Sequence, residues 1–203
     1  MGASDRNPQF YCPLRDRYIN VGEADILVVS TEAKEDHAKP EEAIAESNIT
    51  LKRAYEQDMD DVREVVEYFW DETEFYCFDQ TFKVEECTNI LAYAEDDLAG
   101  LLSYKRNDQT LHIVVLNVYP EHQGQGIARK LIREAIEIAD KNRCETVKVA
   151  TTNDDIPAIC VYQKMGFRLS EILPGAVAKH HGEELPGFAG IPVLDEIRLE
   201  RPV

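Results

Sequence analysis

Residues 114–132 read Val-Val-Leu-Asn-Val-Tyr-Pro-Glu-His-Gln-Gly-Gln-Gly-Ile-Ala-Arg-Lys-Leu-Ile. The apolar run Val114–Val118 ends in a turn carrying Gly124 and Gly126, and an amphipathic helix begins at once. Ile127, Leu131, Ile132, Ala135, Ile136 and Ala139 recur at helical spacing up to about Lys141 and mark one buried face. A strand that feeds a helix through a Gly-rich turn makes an anion site. The first helical N–H groups have no partner inside the helix, and the helix dipole favours negative charge there. Arg129 and Lys130 add a local positive pair. No Gly-Lys-Ser/Thr follows, so this is not a Walker phosphate loop, and Arg129 stands where a dinucleotide fingerprint needs its third Gly.

Upstream, Asn89–Glu95, Leu98–Tyr104 and Leu111–Tyr119 are strand-like runs separated by Asp96-Asp97 and Asn107-Asp108. Such separators are turn chemistry and predict an antiparallel meander. Ile49–Arg53 alternates like a strand, and Asp58 opens a helix carrying Met59, Val62, Val65, Val66 and Phe69. Downstream, Thr146–Ala150 reads as a strand and Ile156–Met165 as a helix stopped by Gly166. Phe167–Ile172 and Ile191–Leu199 follow as strands, with a Gly- and His-containing loop between them. Residues 1–47 form an N-terminal extension and residues 48–203 the main domain. In the extension, Tyr18–Val21 and Asp25–Val29 are expected to pair as a hairpin, and residues 30–47 to form a linker or short exposed helix.

The chain has 203 residues and a formal net charge of −17. A body this acidic is repelled by nucleic-acid phosphates and anionic membranes, so neither is expected as a partner. No apolar run approaches the ~20 residues of a membrane helix. The five cysteines are odd in number and widely spaced, which fits free thiols in a cytoplasmic protein and no zinc site. His180-His181 lacks a nearby third ligand and reads as a solvated loop, so no metal is expected. Cys160 reads as a small buried helix residue.

The segment Gln123-Gly124-Gln125-Gly126-Ile127-Ala128 resembles the Gln/Arg-x-x-Gly-x-Gly/Ala motif of the GCN5-related N-acetyltransferase (GNAT) superfamily. A second block, Thr151-Thr152-Asn153-Asp154-Asp155-Ile156-Pro157-Ala158 running into Tyr162 and Gly166-Phe167, is similar to its Asn…Ala…Tyr-x-x-x-Gly-Phe signature. The resemblance spans about residues 48–199. The tail from Gly190 to Glu200 resembles a bacterial and archaeal subgroup of unknown acceptor.

The resemblance implies an α/β fold with a central mixed, mostly antiparallel sheet flanked by helices on both faces. It implies acetyl-CoA as co-substrate. Carried over, the backbone N–H groups from Gln123 through Gly124, Gln125, Gly126, Ile127 and Ala128 to Arg129 bind the pyrophosphate, with Lys130 beside them. Leu116, Asn117 and Val118 pair with the pantetheine arm, and Asn153 contacts it. The implied reaction is direct attack of a primary amine on the thioester, through a tetrahedral intermediate. Tyr162 matches the acid that protonates the leaving thiolate. His112 is a candidate base for the amine, with Asp71, Glu72 and Glu74 as rivals. The plainer reading of His112 is a strand-edge histidine bonded to backbone.

Between Ala54 and Gly100 stand fifteen acidic residues but only Arg63 and Lys83 as bases, interleaved with Tyr68, Phe69, Trp70, Phe75, Tyr76 and Phe78. An acidic, aromatic wall suits a cationic amine, whether a small molecule or a protein amino group. The same pattern also suits a solvated helix face with its aromatics in the core. A homodimer is compatible with the fold. The alternative function is an acyl-CoA-binding regulatory module without turnover, which replacement of Tyr162 by Phe distinguishes from an enzyme.

Overall fold

The structure, a computed structural model, describes residues 9–12, 17–20, 48–70 and 72–203. Strands β1 (Gln9–Cys12) and β2 (Arg17–Asn20) pair antiparallel, with Gln9 opposite Asn20. Tyr18–Asn20 thus has a partner strand upstream of it. Asp25–Val29, residues 30–47 and Asp71 lie outside the described residues.

The chain then builds one seven-stranded sheet. Its strands are β3 (Ile49–Arg53), β6 (Thr88–Ala94), β7 (Asp97–Asn107), β8 (Thr110–Val118), β9 (Thr146–Thr152), β10 (Arg168–Leu173) and β13 (Glu196–Pro202). Across the sheet the order is β10-β13-β9-β8-β7-β6-β3, and every neighbouring pair is antiparallel except β8–β9. The meander expected from the turn residues is present as β6–β7–β8, with Glu95 and Asp108 taking the positive φ of the turns (58° and 49°).

Alternation along these strands feeds two cores. Leu91, Leu101 and Val115 meet Val62, Val65 and Val66 of helix α1 (Met59–Trp70) on one face. Ile90, Leu102, Leu111 and Ile113 meet Ile127, Leu131 and Ile132 of helix α2 (Ile127–Lys141) on the other, where helix α3 (Ile156–Lys164) also adds Tyr162. Each fully buried Leu, Ile or Val contributes about 1.5–3 kcal/mol. Asp58 does not cap α1 as expected but acts one turn earlier, accepting from the Tyr55 N–H (3.1 Å) and Lys52 Nζ (2.7 Å).

The acidic, aromatic stretch after α1 is a hairpin, β4 (Glu74–Cys77) and β5 (Gln80–Lys83), turning at Phe78 and Asp79 with φ of 54° and 59°. Its tip docks on the last strand. Glu196 accepts the Phe78 N–H (3.1 Å), and Arg198 reaches Asp79 (3.0 Å), Glu171 (2.8 Å) and Glu196 (2.6 Å).

Two expected elements are corrected. The Gly- and His-containing loop holds helix α4 (Ala176–His181), so His180 and His181 sit on its last turn. The expected strand Ile191–Leu199 is broken into β12 (Pro192–Val193), which pairs with β11 (Leu185–Pro186), and β13. Asn153 causes the break, because its Oδ1 accepts the N–H groups of Leu194 (2.8 Å) and Asp195 (2.9 Å).

Gly100 faces Val118 across β7–β8, and a Cβ there would stand 2.5 Å from the Asn117 carbonyl oxygen and 3.2 Å from Val118 Cα. Gly100→Ala is expected to destabilise the fold by about 1–3 kcal/mol through overpacking. Urea unfolding should show this as a lower midpoint at unchanged slope.

Candidate active site

Strands β8 and β9 run side by side for only four residue pairs, Thr110 with Thr146 through Ile113 with Val149. Both strands continue, to Val118 and Thr152, without pairing further. On its other edge β8 stays bonded to β7 but carries a bulge. Ile113 faces Tyr104 and Val115 faces Ser103, which leaves Val114 opposite no residue. A bulge bends its strand, and β8 turns away from β9 at that point. A cleft fills the gap.

One half of the cleft is a cavity of about 430 Å³ and the other a cavity of about 180 Å³. Leu116, Asp155 and Tyr162 line both, and form the throat between them.

The larger half lies at the start of α2. Leu116, Asn117 and Val118 form its strand side; Gln123, Gly124, Gly126, Ile127, Ala128 and Arg129 form its turn side. The α2 N-cap is Gly126 with φ 84°, and no side chain caps the helix. Among the described residues, the N–H groups of Gly124 through Arg129 donate to no other backbone group. The two glycines are needed for conformation rather than for close approach. Gly124 and Gly126 both adopt positive φ, while a Cβ at Gly124 would meet nothing within 4 Å. Arg129 folds back over the turn, its Nη2 3.8 Å from where a Gly126 Cβ would stand.

The side chains of four residues expected at the cofactor are engaged elsewhere. Gln123 donates its N–H to Pro120 (3.3 Å), and its side-chain Nε2 to the Val118 carbonyl (3.0 Å). Gln125 Nε2 points back to the Glu121 carbonyl (3.4 Å). Lys130 Nζ bonds the Ile49 carbonyl on β3, on the helix side opposite the cleft mouth. Asn153 donates from Nδ2 to the Pro192 carbonyl (2.9 Å) and accepts the Leu194 and Asp195 N–H groups at Oδ1, so its amide is consumed in holding the 192–195 segment. Gln125, Lys130 and Asn153 do not line the cleft.

The smaller half is walled by Trp70, Phe75 and Tyr76, with His180 stacked on Tyr76 at 4.6 Å and 9°. Glu72, Asp155 and Glu196 contribute its carboxylates. Of the other aromatics singled out, Phe69 lines the larger half and Tyr68 packs on Tyr119 (4.9 Å). Glu74 is paired with Lys83 (3.0 Å) on the hairpin. Cys77 also lines the smaller half, but burial, with the nearby Glu196 charge, pushes its thiol up to about 12, which leaves no thiolate at neutral pH. Cys160, expected to be buried, is exposed. No cluster of three metal-ligating side chains occurs among the described residues.

At the throat, Tyr162 is 5% exposed. Burial, and then the charge of Asp155, hold its phenol above the ordinary value, so it stays protonated. Asp155 caps α3, accepting the Ala158 N–H (3.1 Å) and the Thr151 hydroxyl (3.1 Å). Burial raises its pKa, those two hydrogen bonds oppose the rise, and Asp154 adds to it.

Sequence reasoning missed Asp155 and Glu196 as site residues. Asp155 had a signal, an acid immediately before a helix with Pro in its first turn. Glu196 had none, since nothing local distinguishes it from an outward strand acid.

His112 lies elsewhere. It is 8% exposed, packed under Phe78 (4.9 Å) and Phe82 (5.9 Å), and lines neither half of the cleft. Its Nδ1 is buried without a partner among the described residues.

Residues 51–167 match the model of the Acetyltransferase (GNAT) family. The chain belongs to this family. It is an acetyl-CoA-dependent N-acetyltransferase, and the GNAT fold expected from the two motifs is the one observed. It is 34% identical over 123 residues to the uncharacterized N-acetyltransferase YvbK of Bacillus subtilis, covering 60% of this chain and 77% of that one. A shorter match of 38% over 82 residues relates it to streptothricin acetyltransferase of Streptomyces lavendulae, covering 39% of this chain and 43% of that one. Among solved structures, a Bacillus subtilis acetyltransferase in complex with CoA superposes with a TM-score of 0.61 at 25% identity, covering 76% of this chain and 99% of that one. The open strand edge and the uncapped α2 N-terminus fit such a ligand.

Burial, then the charge of Lys148, push the His112 imidazole down to about 4 from an ordinary 6.5. Between those values the unfolded chain binds the extra proton. The His112 contribution to stability is therefore expected to fall as pH drops through 6.5 and to level off below about 4. His112→Phe should flatten that part of the stability profile, measured by urea unfolding at stepped pH.

Proposed function

We propose that the protein acetylates a cationic primary amine of a small molecule. The observation that carries this is the smaller half of the cleft, where three carboxylates and three aromatic rings face a cavity that meets the cofactor half at Tyr162. Carboxylates and aromatic faces both attract an ammonium or guanidinium group. A cavity of about 180 Å³ is small, which favours a slender amine or one arm of a larger molecule. The streptothricin acetyltransferase match supports a small-molecule acceptor.

In this reading the unpaired N–H groups from Gly124 to Arg129, with the Arg129 guanidinium, hold the pyrophosphate of acetyl-CoA. The free edge of β8 at Leu116–Val118 pairs with the pantetheine amides as an added strand would. That leads the thioester to the throat. Backbone N–H groups of the bulged β8 edge receive the oxyanion. Tyr162, kept neutral by burial, gives its proton to the departing thiolate. Glu196, fixed by Arg198 and the Phe78 N–H, anchors the positive charge of the acceptor.

Acetyl-CoA or CoA at 100 times its dissociation constant is expected to stabilise the protein by about 2.7 kcal/mol, with ATP giving no comparable shift. Thermal unfolding with each ligand checks this, and no shift at saturating acetyl-CoA removes the basis of the reading. Tyr162→Phe is expected to lower kcat by about 10²–10⁴ with acetyl-CoA affinity retained. Turnover unchanged in that variant takes the acid role from Tyr162.

A further inference from the structure

We infer that Asp155 is the base that takes the proton of the acceptor ammonium, resting on the transferase reading above. Three residues line both halves of the cleft, and Asp155 is the one among them that can accept a proton at neutral pH; Leu116 is apolar and Tyr162 is already protonated. Asp155 therefore stands where the amine must lose its proton before it attacks.

Its position is fixed from two sides. Oδ1 accepts the Ala158 N–H and Oδ2 accepts the Thr151 hydroxyl, each at 3.1 Å. A carboxylate has about four lone-pair sites, so each oxygen keeps room for one more donor. Partial burial makes it a stronger base than a solvated carboxylate, in the direction general-base catalysis needs.

The other titratable groups around the cleft are differently disposed. Glu196, on β13, is already engaged by Arg198 at 2.6 Å and by the Phe78 N–H at 3.1 Å. Asp154, beside it in sequence, already receives the Thr152 hydroxyl and the Phe188 N–H. On α4, His180 lies flat on Tyr76, with His181 next to it (5.3 Å). Glu72 is an exposed group on the wall before the hairpin, and Cys77 is a neutral thiol. In the cofactor half, His122 and Arg129 border the turn rather than the throat.

The proton count closes. The ammonium nitrogen gives one proton to Asp155, and the freed lone pair forms the C–N bond to the thioester carbon. The C–S bond then breaks, its electron pair stays on sulfur, and sulfur takes the Tyr162 proton. The second proton of the attacking nitrogen restores Tyr162. Asp155 releases its proton to solvent, so one proton leaves per amide formed.

The test compares wild type with Asp155→Asn. Asn caps a helix about as well as Asp, so α3 keeps its start. Thiol release from acetyl-CoA is followed with spermidine, agmatine and streptothricin as probe amines, using the fastest. The expected result is a kcat lower by about 10²–10⁴, with thermal stability and acetyl-CoA affinity held. The residual rate should climb with pH only as free amine accumulates, and the inflection that Asp155 protonation gives the wild-type kcat/KM profile should be missing. A variant rate within about threefold of wild type, or a loss matched by weaker acetyl-CoA binding, overturns the assignment. Wild type that binds acetyl-CoA but releases no thiol with any probe overturns the cationic-amine reading itself, and this assignment with it.

Discussion

The structure turns on a pairing that stops. β8 and β9 share four residue pairs and then part, while both strands run on. Buried backbone N–H and C=O groups must find partners, so the parted edges have to face water or a ligand that offers its own amides. Helices α2 and α3 begin just beyond the C-terminal ends of these two strands, which sets both helix N-termini at the same opening. The two ends differ in their caps. Gly126 leaves α2 with free donors, suited to an anion, whereas Asp155 supplies α3 with a carboxylate of its own. One opening thus holds a helix end with free N–H donors and, on its far side, a carboxylate.

Much of this was legible in the sequence because it depends on local pattern. The meander followed from acidic turn residues between alternating runs, and α2 followed from its apolar period after Gly126. The Gly124-Gln125-Gly126 turn stood out because glycine, free of a Cβ, is the residue that takes positive φ without strain, and two of them directly precede a helix. The mixed, mostly antiparallel character of the sheet came through the resemblance; its strand order did not, because no local signal orders strands that are distant in the chain.

What escaped had non-local causes. The β4–β5 hairpin turns on Phe78 and Asp79, a pair without the Gly or Asn that marks such turns, and it holds because Glu196 and Arg198 grip its tip from more than a hundred residues away. Lys130 and Arg129 look equivalent in sequence, yet one helical step of about 100° sends Lys130 to β3 and leaves Arg129 over the turn. Asn153 and Asp155 are two residues apart at the end of β9. The first faces the C-terminal loop and the second the cleft, and only the path of the 192–195 segment decides which is which.

The two halves of the cleft are made of different material. On the proposed assignment the acyl-donor half is mostly main chain: a strand edge, a turn and a helix start, whose hydrogen-bonding groups survive nearly any exchange of side chains. The proposed acceptor half adds to the ends of β8 and β9 side chains from separate segments, the end of α1 with the following hairpin, α4, and the start of β13. Mutation therefore acts unevenly on them. Drift in the exposed segments can trade one acceptor for another while the donor is inherited unchanged. The same division tells a protein engineer where to diversify, since residues 72–77 and 177–181 can be randomised without entering the half that binds the donor.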